Sequence, residues 1–444
     1  MVTRRPRWWW LTPGLYLKRW VALISVSVAL LALGLTYALR HVYAMDAFPS
    51  WARYVFLVFL PRPWRALLFT ILGLGGLVVG ITQLNRTLLR PFIPSGERVF
   101  DVLYRYHRPN DDGPRIVVIG GGHGLSTLLR GLKMYTPHIT AIVTVADDGG
   151  SSGRLRRELG ILPPGDFRNC MAALSEAEDL MLRLLQYRFS GGEGLRGHSF
   201  GNLLIAAMVG VTGSFEQGLE QSSRVLAVRG RVLPATLQAV TLCAEVAMFR
   251  DGELVGWKRV VGESQIPKSG GRIMRVFIEP EVTRAYPEAV RAILHADMVI
   301  AGPGSLYTSV LPNLLVREIV EALQATPAMK VYIANVATQK GETDGYTVGD
   351  HVQALHEHMG VDLFRWVIYN INYRPSLPAG ISWVKPGPKD GELFTLIGGD
   401  VVDERKPWRH DPAKLAALVM SLLAHEVVAP ELARSETAVG STSL

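Results

Sequence analysis

The sequence predicts an α/β protein, in which two transmembrane helices precede a doubly wound, mostly parallel sheet. Three observations predict this fold class. Short apolar runs alternate with helix-type segments along most of the 444-residue chain, which is typical of a parallel sheet covered by helices. Two of the strand-type runs lead directly into a glycine loop and then a helix-type segment. Two long uncharged stretches lie near the N-terminus.

The alternation predicts the individual elements. Strands are expected where β-branched and other apolar residues form short runs, at Arg115–Ile119, Ile139–Val145, Thr241–Phe249, Val255–Val261, Ile273–Ile278, Met298–Ala301, Lys330–Val336 and Trp366–Asn370. Helices are expected at Leu125–Met134, Ser199–Val211, Ala285–Leu294, Val316–Ala325, Asp350–Met359 and Pro412–Val427. The three strands between Thr241 and Ile278 are expected to form a meander. The whole pattern indicates a Rossmann-like, three-layer arrangement.

The N-terminal region has the composition of a membrane segment. Trp20–Leu39 and Ala66–Leu84 contain 20 and 19 residues without a charge, enough to cross a bilayer as helices. Residues 1–110 hold 14 Lys and Arg against 3 Asp and Glu, whereas the rest of the chain holds 33 against 36. The basic excess thus accompanies the apolar segments, which argues against a nucleic-acid-binding protein. A cleaved signal peptide and buried soluble helices are the alternatives.

These features predict four regions. Residues 1–90 would form a membrane hairpin, 91–113 a linker, 114–427 the α/β domain and 428–444 a disordered tail. Arginines flank both spans, so we expect a multi-pass protein of the bacterial cell membrane with both termini and the α/β domain in the cytoplasm. Cys170 and Cys243 lack metal-ligand spacing and are expected to be buried free thiols.

The first glycine loop is a candidate phosphate site. It follows the strand at Arg115–Ile119 and precedes a helix, so free backbone N–H groups would point at an anion. A tight structural turn is the alternative. The candidate ligand-binding residues here are Gly120, Gly121, Gly122, His123, Gly124 and Ser126.

The second strand ends in another candidate segment. Two adjacent carboxylates there could bind ribose hydroxyls, a divalent metal or a substrate proton, because residues just past the strands of a doubly wound sheet line the ligand crevice. A solvated turn is the alternative. The candidates are Asp147, Asp148, Gly149, Ser151 and Ser152, with Asp147 and Asp148 as potential ligands of Mg²⁺.

Two further segments carry candidate residues. Arg168 and Asn169 follow a Pro-Pro-Gly-Asp run and could supply fixed donors to an anionic ligand. The second glycine loop contributes Gly302, Gly304 and Ser305 after the strand Met298–Ala301. Both glycine loops could face one crevice. An ordinary βα turn is the alternative for the second loop.

Common catalytic signatures are missing from the sequence. It contains no Ser-His-Asp signature, no HExxH and no lysine of the P-loop type after the first glycine loop. The glycines run GGGxG rather than GxGxxG, which disfavours an NAD-dependent dehydrogenase. Catalytic residues therefore stay unassigned.

Several long motifs, in order, resemble those of the CofD/YvcK family between Pro114 and Leu422. His123 departs from the commoner GGGTG form, and Phe200 stands where a small aliphatic residue is expected. The matching strings are GGGHGLSTLLRGLK, TVADDGGSSGRLR, PPGDFRN, GHSFGNLL, VRGRVLPAT, AGPGSLYTS and NVATQKGETDGYTVGDHV.

The resemblance implies two functions. Members of the gluconeogenesis-factor branch look like nucleotide-sugar-binding regulators of carbon metabolism, cell shape and envelope synthesis. Members of the other branch transfer a phospholactyl group from a nucleotide-activated donor to a deazaflavin acceptor with the aid of a divalent metal. The strings are closer to the first branch. A structural membrane scaffold without nucleotide binding is a third, weaker hypothesis.

The expected ligand is therefore UDP-N-acetylglucosamine (UDP-GlcNAc) or a similar nucleotide sugar. The sequence identifies no cofactor, and Mg²⁺ is the metal that the paired aspartates suggest. Catalytic turnover and homo-oligomerisation stay open. The resemblance extends the candidate ligand-binding residues to His198, Asn202, Thr343, Asp344 and Arg409, with His410 beside the last of these.

Overall fold

The computed structural model describes residues 113–176 and 179–424, together with a few single positions before residue 113. The chain divides into two units, Met1–Asp112 and Gly113–Leu444. The fold described below is that of the second unit.

A seven-stranded parallel sheet forms the centre of this unit. Its strands follow the order β10-β9-β8-β7-β1-β2-β3. They are β1 (Ile116–Gly120), β2 (Ile139–Val143), β3 (Arg231–Pro234), β7 (Met298–Ala301), β8 (Met329–Ile333), β9 (Trp366–Asn370) and β10 (Thr395–Gly399). The central strands are buried along their length, as expected for a sheet covered on both faces.

The strand order reverses beside β1. From β1 the chain continues through β2 to β3 on one side, and it later adds β7, β8, β9 and β10 on the other side. In register, Ile116 lies opposite Ile139 of β2 and Met298 of β7. The carboxyl ends of β1 and β7 therefore border a topological switch point, where doubly wound proteins bind ligands.

A small antiparallel sheet is inserted between β3 and β7. Its strands are β4 (Thr241–Arg250), β5 (Glu253–Val261) and β6 (Arg272–Glu279), so the three predicted strands are confirmed. Their order is β5-β4-β6, which corrects the expected meander. The 3₁₀ turn Glu263–Lys268 separates β5 from β6, and the largely buried β4 takes the central position.

Helices complete the three layers. They are α1 (Gly122–Leu132), α2 (Gly150–Leu159), α3 (Gly165–Leu174), α4 (Asp179–Gln186), α5 (Phe200–Thr212), α6 (Phe215–Val225), α7 (Pro287–Leu294), α8 (Leu311–Leu314), α9 (Arg317–Ala325), α10 (Val348–Met359), α11 (Asp390–Leu393) and α12 (412–424). A π-helical turn, Leu306–Val310, precedes α8. The predicted three-layer α/β architecture with a mostly parallel sheet is confirmed.

The predicted multi-pass membrane localisation is wrong. Within residues 113–176 and 179–424 and the single positions described before them, no helix is both long and apolar enough to span a bilayer. The longest of these helices has 13 residues, or roughly 20 Å, against the ~30 Å of a bilayer core. The two predicted spans, the linker and the tail lie outside the described residues, apart from single positions.

Candidate ligand-binding site

A cavity of about 630 Å³ opens at the carboxyl ends of β1 and β7. Residues of both glycine loops line it, together with the segment after β8 and the loop before α12. The predicted site residues on its wall are Gly121, Gly122, His123, Gly124, Asp147, Gly304, Ser305 and Arg409. The structure thus places the two glycine loops at one crevice.

The two glycine loops pack directly against each other. A Cβ atom on Gly124 would lie 2.4 Å from the carbonyl oxygen of Pro303, and one on Gly304 would lie 3.4 Å from the carbonyl oxygen of Gly121. Gly122 and Gly302 adopt positive φ angles of 64° and 81°, which glycine tolerates best. Glycine at these positions therefore permits both the backbone path and the close approach.

Helix α1 begins inside the first loop rather than after it. Gly121 precedes α1 without a side-chain cap, whereas the hydroxyl of Ser199 caps α5. The carboxylate of Asp166 accepts a hydrogen bond from the Gly122 N–H. The next N–H groups of the first turn have no partner within the helix, and the start of α1 borders the cavity.

Four carboxyl groups share the cavity wall: Asp147, Asp166, Glu263 and Glu342. Burial raises the pKa of all four, and neighbouring carboxylates raise those of the first three further. The pKa of Asp166 rises to about 6, that of Glu342 to about 7 and that of Glu263 to about 8. This part of the wall can therefore present protonated carboxyl groups near neutral pH.

The paired aspartates have separate structural tasks. Asp147 Oδ1 accepts a 2.9 Å hydrogen bond from the Gly149 N–H, and Ser152 also donates to this carboxylate. Asp148 Oδ1 accepts a 2.9 Å hydrogen bond from the Ser264 N–H and is not among the residues lining the cavity. In the described part of the chain, no group of three or more His, Cys, Asp or Glu side chains could hold a metal ion. The expectation that Asp147 and Asp148 bind Mg²⁺ stays a prediction.

Other predicted residues support the fold near the site without lining it. His198 Nδ1 lies 2.9 Å from Ser151 Oγ, and Asn202 Nδ2 donates to the same oxygen at 3.1 Å. The Gly120 carbonyl accepts from Asn313 Nδ2. Two more of these residues hold the loop before α10, where Thr343 accepts from the Gln339 N–H and Asp344 from the Gly341 N–H.

The remaining predicted residues border a smaller cavity of about 340 Å³ beside the first. Ser126, Arg168 and Asn169 line it, and His123 and Arg409 line both cavities. Arg168 donates through Nη2 to Asn169 Oδ1 at 2.8 Å. The expectation that these two residues offer donors to an anion stays a prediction.

Sequence reasoning missed several wall residues: Asp166, Glu263, Thr308, Asn335, Gln339, Lys340 and Trp408. Glu342 lies in the Gly-Glu-Thr-Asp-Gly run that was expected to face a ligand, and it lines the cavity. Asn335 lies two residues after the end of β8, so the rule for strand ends could have identified it. Glu263 reaches the cavity from the 3₁₀ turn after β5, and no local pattern predicts that placement.

His410 is buried, its pKa falls to about 4 because of burial, and its Nε2 has no hydrogen-bond partner among the described residues.

The fold and the cavity define a doubly wound α/β protein with a candidate ligand site at its glycine loops. A family model described as 2-phospho-L-lactate transferase CofD matches residues 116–380. The chain belongs to this CofD family, which confirms the resemblance at the family level.

Several relatives support the assignment. The gluconeogenesis factor of Bacillus subtilis is 49% identical over 319 residues, which cover 70% of this chain and 98% of the relative. A relative from Nostoc sp. is 46% identical over 436 residues, which cover 93% of this chain and 91% of the relative. A crystal structure from Bacillus halodurans, described as a member of the UPF0052 family, has a TM-score of 0.64 and 46% identity. That match covers 69% of this chain and 99% of the solved chain.

Proposed function

We propose that this protein is a regulatory protein that binds a nucleotide sugar, UDP-GlcNAc or a close analogue, in the larger cavity. It would report the supply of envelope precursors and link that supply to carbon metabolism and cell shape. The observation that carries the proposal is the meeting of two glycine loops and an uncapped helix start at the switch point of the sheet.

The glycine-loop side of the cavity suits a diphosphate. The start of α1 offers backbone N–H groups and the positive end of a helix dipole. Lys340 and Arg409 add two cationic side chains to the lining of the same cavity, which favours two linked phosphate groups. Asp166 accepts a hydrogen bond from the Gly122 N–H. A phosphate would therefore bind to the backbone N–H groups of the neighbouring residues in α1.

The remaining wall suits hydroxyl groups and a ring. Carboxyl groups bind sugar and ribose hydroxyls, as acidic residues of doubly wound nucleotide-binding proteins do, and Glu263 and Glu342, which line the cavity, would take this role. Trp408 offers an aromatic surface for a ring. The volume of about 630 Å³ falls in the usual ~300–1,000 Å³ range of small-molecule sites.

The family model's description and the carboxyl cluster favour one other candidate, a phospholactyl transferase. A carboxylate with a raised pKa is suited to accept a proton from an acceptor hydroxyl, and Asp166 and Glu263 have this property. The matching sequence strings are closer to the gluconeogenesis-factor branch, and a relative named gluconeogenesis factor matches 70% of this chain, which makes this candidate second.

Calorimetric titration of the purified protein with UDP-GlcNAc and GDP, with and without Mg²⁺, separates the candidates. The regulatory proposal predicts one site for UDP-GlcNAc, independent of Mg²⁺, and an unchanged nucleotide sugar after prolonged incubation. Binding of GDP that requires Mg²⁺, without a response to UDP-GlcNAc, would favour the transferase. The substitution Arg409→Gln should weaken UDP-GlcNAc binding about tenfold through loss of a charge-assisted contact.

A further inference from the structure

The smaller cavity is strongly basic. Four guanidinium groups, those of Arg130, Arg168, Arg188 and Arg409, line its volume of about 340 Å³, with His123 beside them and no Asp or Glu. His123 and Arg409 also border the larger cavity, so the two spaces meet at the start of α1. We call the smaller space the arginine cavity.

Arg168 is the most deeply placed of these arginines. Its residue is 8% exposed, and its guanidinium donates to the hydroxyl of Ser199 and the amide oxygen of Asn169. Its Nε is buried and has no hydrogen-bond partner among the described residues. The acidic groups that act on Arg168, Asp166 and Asp147, do not line the arginine cavity, so the cavity wall itself supplies no anion to this costly buried cation.

The other arginines lack such a partner as well. Across the described residues, none of the four guanidinium groups forms an ion pair with a carboxylate. Arginines elsewhere do, as Arg231 pairs with Glu288 and Arg317 with Glu321. Burial, reinforced by Arg409, Arg168 and Arg130, lowers the pKa of His123. The positive charge of the arginine cavity is thus uncompensated on its own wall.

We propose that the arginine cavity binds the phosphate monoester of a small metabolite, as a second ligand beside the nucleotide sugar. A guanidinium binds phosphate through two parallel hydrogen bonds, and a phosphate monoester carries about 1.5 to 2 negative charges at neutral pH. Ser126, Asn169 and Gln186 supply polar groups for the organic part. The inference does not require that the larger cavity binds a nucleotide sugar.

The test is calorimetric titration of the full chain with glycerol 3-phosphate and with inorganic phosphate, at constant ionic strength. Each titration is run with and without saturating UDP-GlcNAc. The proposal predicts saturable one-site binding of both probes in either condition. Arg130→Gln and Arg188→Gln, both at exposed residues, should each weaken glycerol 3-phosphate binding about tenfold or more. The matched control is Arg157→Gln, because Arg157 is exposed on α2 and lines neither cavity; it should change binding less than twofold.

Several results would overturn the inference. These are no saturable binding of glycerol 3-phosphate, binding of inorganic phosphate alone, or an equal loss in Arg157→Gln. UDP-GlcNAc could instead displace glycerol 3-phosphate, and Arg130→Gln could weaken the binding of UDP-GlcNAc. These two results together would assign the arginine cavity to the nucleotide sugar and would also overturn the inference. Binding of glycerol 3-phosphate without any binding of UDP-GlcNAc would support this inference and contradict only the proposed function.

Discussion

At the scale of single residues, the site depends on how closely two backbone segments approach each other. We predict that Gly124→Ala lowers the free energy of unfolding by ~1–3 kcal/mol, as overpacking in a close-packed region does. The new Cβ would lie 2.4 Å from Pro303 O, and this contact is with backbone that cannot rotate away. Urea denaturation measures the change.

Gly210→Ala is the matched control for Gly124→Ala. Gly210 also lies within a helix, α5, but a Cβ there meets nothing within 4 Å. An alanine in an exposed helix interior should stabilise by roughly 0.5–1 kcal/mol relative to glycine. Equal effects of the two substitutions would contradict the argument from close approach.

Asp148 is a second residue whose role is a specific contact. Its carboxylate accepts a hydrogen bond from the Ser264 N–H and so anchors the 3₁₀ turn. Glu263 is the preceding residue of this turn, so Asp148 holds it beside the cavity only through the turn. Asp148→Ala should cost about 1 kcal/mol of unfolding free energy and speed hydrogen exchange of the Ser264 amide. Asp148→Asn keeps an oxygen acceptor and should retain most of the protection. The same loss in both variants would argue for a role of the charge itself.

At the scale of elements, the 3₁₀ turn Glu263–Lys268 brings a buried carboxyl group to the site. The pKa of Glu263 is about 8 in the folded protein, against about 4.3 in an unfolded chain. Between these values the folded state binds more protons, so the free energy of unfolding falls as pH rises from about 4.5 to 8. Asp166 and Glu342 contribute in the same direction.

We predict that Glu263→Gln flattens this pH dependence. At pH 8 the variant should be more stable than the parent by on the order of 1–3 kcal/mol, and near pH 4.5 the two should be equal. Thermal denaturation across this pH range measures the slope. Glu193→Gln, in an exposed loop, should leave the slope unchanged. The prediction would be contradicted if, from pH 5 to 8, the free energy of unfolding of the parent protein rises relative to that of Glu263→Gln.

Local patterns were sufficient for the buried elements of the sheet. The bounds of β7 and β9 agree with their prediction residue for residue, because each forms a short apolar run. The edge strands β3 and β10 were missed, since β3 begins with Arg231 and ends with Pro234, which leaves only two apolar residues between them, and β10 is only partly buried. No helix was predicted at the Gly-Ser segment where α2 starts, because glycine and serine favour turns over helix interiors.

The candidate site was only partly predictable, because several of its residues come from segments that are distant in the sequence. Residues that directly follow β1 and β7 could be placed at the crevice from topology alone. Glu263 comes from an inserted sheet, and Trp408 from a loop before α12. Their positions depend on long-range packing that no local periodicity encodes. His198 bonds Ser151 inside the protein and lines neither cavity, so its expected contact with a ligand stays a prediction.

At the scale of the whole molecule, the two cavities belong to the second unit of the chain. The match with the Bacillus subtilis relative covers 70% of this chain and 98% of the relative. The relative is therefore the shorter of the two chains. We predict that residues 113–444 bind UDP-GlcNAc with a dissociation constant within twofold of the full chain. A calorimetric comparison tests this, and a tenfold loss in the fragment would show that residues 1–112 contribute to the site.

The central claim is that a nucleotide sugar occupies the crevice between β1 and β7. A crystal structure of the protein grown with UDP-GlcNAc tests it most directly. The account predicts diphosphate density within hydrogen-bond distance of the His123 and Gly124 amides, with the sugar towards Glu263 and Glu342. Density for the nucleotide sugar outside this crevice, or an empty crevice at saturating ligand, would contradict it.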